Sequence, residues 1–154
     1  MEPREEFRHI MQIRFFARGK PMPLTIRGNS MSPLLNPGDQ IAVQPQRAYQ
    51  VGDIVAFFYD DVLLAHRIVQ VQNDGIVCKG DNSFRLEHIL IEDIIGKAIA
   101  QNGKYMPELP SALLEQSLAI SQLYQTGDMK IAAIKEQPFY EDYQAALQAW
   151  INES

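Results

Sequence analysis

Residues 54–72 read IVAFFYDDVLLAHRIVQVQ: an apolar run from Ile54 to Tyr59, the acidic pair Asp60-Asp61, and a second apolar run that starts at Val62. Two runs rich in β-branched and aromatic residues, split by two turn formers, predict a tight β-hairpin. The same texture continues on both sides. Strands are predicted at 24–28, 39–44, 53–59, 62–72, 75–79 and 94–101, punctuated by Asn36-Pro37-Gly38-Asp39 and Asn73-Asp74-Gly75. Closely spaced strands joined by hairpins imply a mainly β chain built on an antiparallel sheet or barrel.

The two ends have a different periodicity. Phe7, Ile10, Met11 and Phe15 fall at helical spacing. They predict a helix over 3–18, stopped by Gly19 with Pro21 and Pro23 beyond it. After Pro107 and Pro110, three more helices are predicted. The first is 110–125, carried by Leu113, Leu114, Leu118 and Leu123, and the second is 128–136 after the breaker Gly127. The third is 138–152, with Tyr143, Leu147, Trp150 and Ile151 on one face. The expected division is an N-terminal helix (1–20), a central β unit (21–105) and a helical C-terminal extension (106–154). That extension reads either as a cap on the sheet or as a partner-binding element.

With 154 residues, 46% apolar and 21% charged, the chain can bury a real core as one domain. A net charge of -5 argues against nucleic acid as a partner, because an acidic chain gains nothing from neutralising phosphates. The one cysteine, Cys78, forms no internal disulfide and reads as a small apolar residue in a strand. No secretory signal is visible, and no segment approaches the roughly 18 to 20 apolar residues of a membrane span. The expectation is therefore a soluble, cytoplasmic protein. A peripheral membrane contact is the alternative for the first helix, since arginines accompany its apolar stripe, although Glu2, Glu5 and Glu6 weaken it.

Three segments carry groups suited to chemistry: Gly28-Asn29-Ser30-Met31-Ser32-Pro33-Leu34-Leu35, Ala65-His66-Arg67-Ile68-Val69, and Lys79-Gly80-Asp81-Asn82-Ser83. A serine hydroxyl needs a base and oxyanion donors to act as a nucleophile. Gly28 allows close backbone approach beside Ser30, and N–H groups there could hold an oxyanion, yet on sequence chemistry alone Ser30 and Ser32 read first as plain turn residues. His66 alternates onto one face with Leu64 and Ile68. It is suited to general-base work near neutral pH, or to a backbone-bonded place in the core. Asp81 sits in a turn, where it could orient a histidine or simply cap the turn.

In order and spacing, these segments resemble the signal peptidase I / LexA-type superfamily of serine peptidases. Gly-x-Ser-Met-x-Pro-x-Leu followed by Pro-Gly-Asp, here Gly28 to Asp39, resembles its nucleophile box. Gly52-Asp53-Ile54-Val55-Ala56-Phe57, Lys79-Gly80-Asp81-Asn82 and Ile94-Ile95-Gly96-Lys97-Ala98 resemble its later boxes. The resemblance implies coiled antiparallel sheets and cleavage of extended peptide substrates. It implies Ser30 as nucleophile and His66 as base, in the place where most bacterial members carry lysine. It also implies Asp81 as the acidic member, and Gly28, Asn29 and Met31 around the oxyanion and substrate. No cofactor or metal is called for. The expected partner is a peptide or protein precursor, and oligomeric state is left open. Two rivals keep the same fold: a non-catalytic peptide-binding module and a LexA-like regulatory protein. Self-cleavage of the LexA kind is disfavoured, because neither Ala-Gly nor Cys-Gly occurs.

Overall fold

The structure, a computed structural model, describes residues 21–154. The helix predicted over 3–18 lies outside the described residues. Eight strands form one antiparallel sheet: β1 (Met22–Thr25), β2 (Gln40–Gln44), β3 (Ile54–Tyr59), β4 (Val62–Gln72), β5 (Gly75–Lys79), β6 (Glu87–Ile89), β7 (Ile94–Gln101) and β8 (Lys104–Tyr105). A single 3-10 turn, Ile91–Asp93, links β6 to β7. Three helices follow: α1 (Ser111–Gln125), α2 (Ile131–Lys135) and α3 (Pro138–Glu153). The chain is thus mainly β with a helical C-terminal part, as its strand spacing implies.

Asp60 and Asp61 form the β3–β4 turn with φ of 47° and 65°. Two successive left-handed residues match the right-handed twist of a two-residue hairpin, and aspartate tolerates that region better than most side chains. The pairing then runs in strict register from Tyr59↔Val62 to Ile54↔Arg67. The strand order is β1-β2-β7-β3-β4-β5-β6, with β8 on the edge of β7. Register shifts at Ala42/Val43, Ala56/Phe57 and Ile68/Gln70 mark bulges, which add local twist and coil the sheet. The prediction missed β6 and β8. Three and two residues are too few to show an alternation.

Alternation along the strands divides the core. One cluster gathers Ile26, Met31, Leu35, Ile41, Val43, Ile54 and Ile95, and draws Trp150 of α3 against it. The other face gathers Val55, Phe57, Ile68, Ile76, Cys78 and Ile89. A third cluster, centred on the helices, joins Phe84 to Leu113, Ile120, Ile134, Tyr143 and Leu147. Full burial of each such side chain contributes about 1.5–3 kcal/mol, enough to seat the helices on the loop that carries Phe84. Helix boundaries follow local chemistry. Gly127, with φ of 78°, ends α1 in the left-handed conformation that glycine adopts without strain. Pro138 begins α3, where its missing N–H has no helical partner to lose.

Candidate active site

Ser30 lies in the turn between β1 and β2, and its Oγ is 2.9 Å from His66 Nε2 on β4. On the other side of the ring, His66 Nδ1 is 2.6 Å from Glu87 Oε1 on β6. Glu87 is completely buried and His66 almost so. The second carboxylate oxygen of Glu87 accepts from Arg85 Nε at 3.0 Å, and the Arg85 guanidinium rests over the Tyr59 ring. With both oxygens of Glu87 accepting, Nδ1 is the protonated ring nitrogen. Nε2 is then left as the acceptor for the Ser30 hydroxyl.

The structure brings Ser30 and His66 together but assigns Asp81 elsewhere. Asp81 does not touch His66. Its two oxygens accept from Arg67 Nε and Nη2, each at 2.8 Å, and a third Arg67 nitrogen donates to the Gly52 carbonyl. The reason is strand parity. Ile68 pairs with Cys78 and Cys78 with Glu87, so His66, two residues before Ile68, shares a face with Glu87. Arg67 pairs with Lys79 on the opposite face, and Asp81 follows Lys79 by two residues. Glu87 was missed because it begins a three-residue strand. The available signal was weak: Glu87 and Ile89 alternate around an exposed His88.

Asp81 instead ties the site together. Its N–H donates to the sulfur of Met31, and its carbonyl accepts from Tyr143 Oη at 2.9 Å. Burial works against the Arg67 charge, but the charge and hydrogen bonds of Asp81, helped by Tyr143 and Asp53, more than offset it and raise the Arg67 pKa. The other residues named around the oxyanion fall into distinct places. Gly28 is exposed with φ of 76°, a strained conformation for any residue with a Cβ. The Asn29 carbonyl accepts from the Ser32 N–H and the Asn82 amide. Met31 is buried beneath the turn. Among the described residues, no acceptor takes the Ser30 N–H, which leaves it available to an incoming oxygen. Gly80 packs so closely that a Cβ there would collide with the Ser30 carbonyl oxygen.

A groove of about 620 Å³ opens beside Ser30 and His66. One wall is Pro23 to Arg27, the other Asp61 to Ala65, with Met31 between them. Among the described residues, Met22–Thr25 of β1 and Val62–His66 of β4 have no ladder partner on the groove side. β1 ends the sheet, and β4 pairs with β5 only from Arg67 onward. Strands four places apart in the sheet order can line one groove only because the sheet coils into a partly closed barrel.

Two further buried groups lie close by. Lys79 is almost fully buried, and its Nζ donates to the Ser117 carbonyl on α1 at 2.7 Å, so it is turned toward the helices. Burial lowers its pKa to about 8, with Asp81 and Glu87 opposing the fall. Burial, and then the charge of Glu87, raise the Cys78 thiol, which suits an inert core residue rather than a nucleophile. Among the described residues, no group of three His, Cys, Asp or Glu side chains could hold a metal ion, and no helix is long and apolar enough to cross a membrane.

Two outcomes follow from this arrangement. Asp81→Ala leaves a buried guanidinium without its partner and lowers unfolding free energy by about 3–5 kcal/mol, measured by urea denaturation. A change below about 1 kcal/mol would show that the Arg67 pair does not carry that weight. For Lys79, the folded pKa of about 8 lies below the ordinary 10.5. Between those values the unfolded chain binds more protons, so stability rises with pH. Wild type should therefore gain stability relative to Lys79→Met as pH is raised from about 8 to 10.5. A difference that stays flat across that window would contradict a depressed Lys79.

No curated protein matches the chain. The family model described as Peptidase S24-like matches residues 5–99, the stretch that holds Ser30, His66, Asp81 and Glu87 and nearly all of the sheet. That stretch is more than half of the 154 residues, and the chain belongs to the Peptidase S24-like family, within the signal peptidase I / LexA-type superfamily that its ordered boxes resemble.

Proposed function

We propose that the protein is a serine endopeptidase that cleaves or matures another peptide or protein. Ser30 is the nucleophile, His66 the general base, and Glu87 the carboxylate that orients His66. The observation that carries this reading is the continuous line of short hydrogen bonds from Ser30 Oγ through both ring nitrogens of His66 to a fully buried Glu87. A buried carboxylate needs a partner, and one that fixes the histidine tautomer is what nucleophilic serine chemistry requires.

The steps balance with these groups alone. Ser30 Oγ attacks the scissile carbonyl carbon while its proton passes to His66 Nε2. The oxyanion that forms meets the free Ser30 N–H. The C–N bond then breaks as His66 returns the proton to the leaving amine. A water molecule, deprotonated by the same nitrogen, hydrolyses the acyl-Ser30 ester and restores the hydroxyl. Throughout, Glu87 stabilises the imidazolium without taking its proton.

The substrate enters as an extended strand. Four antiparallel steps separate β1 from β4 in the sheet, so the two edges run in the same direction. A peptide laid between them can bond to both main chains, which gives affinity, while side chains fill the wall. Leu24, Ile26, Met31, Leu63 and Ala65 make that wall apolar and favour small or apolar substrate side chains.

A fluorophosphonate probe followed by intact mass, run beside a library of small-residue peptides, tests the reading. Wild type should gain a single adduct or cleave peptides, and Ser30→Ala should lose about 10⁴-fold or more of that activity. Glu87→Gln, which keeps the shape and removes the charge, should lower the rate by about 10²- to 10⁴-fold with the fold intact. No adduct and no cleavage by wild type would overturn the peptidase assignment and leave a peptide-binding module of the same fold.

A further inference from the structure

Residues 80–86 form a loop between β5 and β6, so no sheet ladder holds them. Besides the grip of Arg67 on the Asp81 carboxylate, two sets of contacts do. One set faces the Ser30 turn. The Asn82 N–H donates to the Ser30 carbonyl at 2.8 Å, the Asp81 N–H to Met31 Sδ, and Gly80 lies flush against Ser30. The opposite set faces the C-terminal helices. Tyr143 Oη on α3 donates to the Asp81 carbonyl at 2.9 Å, and Lys79 Nζ, at the loop's start, donates to the Ser117 carbonyl on α1 at 2.7 Å. Phe84 is buried in the helical cluster, stacked on Tyr140 and T-shaped to Tyr124. The loop's far end leads directly into Glu87. It is therefore pinned between the helices and two members of the Ser30–His66–Glu87 line.

We infer that the C-terminal helices are part of the active-site scaffold, with Tyr143 a positioning residue that holds the 80–86 loop against Ser30. This rests on the peptidase reading. The three helices lie beyond residues 5–99, which the family model matches, so the residues that set the nucleophile's position are not confined to that stretch. Asp81 carries the coupling. Its side chain is locked by Arg67, its N–H by Met31 and its carbonyl by Tyr143. A shift at α3 is thereby passed to the residues flanking both Ser30 and His66. The Ser30–His66 hydrogen bond is sensitive to displacements well under 1 Å.

Tyr143→Phe tests this with packing preserved and one hydrogen bond removed. Two readouts are taken: the phosphonylation rate with a fluorophosphonate probe as a function of probe concentration, and amide hydrogen exchange at Asn82. The maximal rate should fall about tenfold while the half-saturating probe concentration stays within about twofold, as for a misplaced nucleophile. Asn82 exchange should become faster, because its acceptor is the Ser30 carbonyl. Ile76→Val, in the sheet core and away from this loop, supplies a control with a comparable small loss of stability and should leave both readouts unchanged. An unchanged maximal rate and unchanged Asn82 exchange in Tyr143→Phe would overturn the coupling while the peptidase assignment stands. Should wild type neither react with the probe nor cleave peptides, that assignment fails by itself, and Asn82 exchange alone decides whether α3 holds the loop.

Discussion

Ile68 lies opposite Cys78, Cys78 lies opposite Glu87, and Arg67 lies opposite Lys79. Side chains alternate along a strand, so this register sends the ionisable groups of β4, β5 and β6 to two separate faces. His66 and Glu87 fall on one face and meet. Arg67, Lys79 and the trailing Asp81 fall on the other. A slip of one residue between β4 and β5 would exchange these partners, leaving an unpaired carboxylate or guanidinium in a nearly dry interior. The cost of a buried unpaired charge is several kcal/mol, so the polar groups themselves oppose the slip. The Ser30–His66–Glu87 line and the Arg67–Asp81 ion pair are two results of one pairing.

That arrangement also separates the work of the two acids. Glu87 is held by His66 and Arg85, and its position is set by β6. Asp81 is held by Arg67, Met31 and Tyr143, and it joins the Ser30 turn, the strand that carries His66 and the last helix. Removing Asp81 weakens the frame. Removing the charge on Glu87 acts on the imidazole directly. Activity and stability measurements therefore respond differently to the two substitutions.

The groove has its own logic. Among the described residues, two strand edges without a ladder partner face the groove, and such edges expose main-chain donors and acceptors. Its walls carry Arg27 and Asp61, and Ser30 and His66 line it.

The sequence alone determined the class of fold, the hairpin at Asp60-Asp61, the helices after Pro110 and the resemblance around Ser30 and His66. These depend on local features: period-two and helical spacing, turn formers, and short motifs in order. It did not show which carboxylate meets His66. Asp81 sits in a motif that draws notice, whereas Glu87 sits in a three-residue strand with almost no periodicity. Choosing between them requires knowing which residue of β5 faces which residue of β4 and β6. That register spans residues up to about twenty apart in sequence and follows from turn geometry and core packing. The same holds for the tie from Tyr143 to Asp81, which joins residues 62 apart. Tertiary structure alone decided these contacts, because a strand's parity is local but its partner's is not.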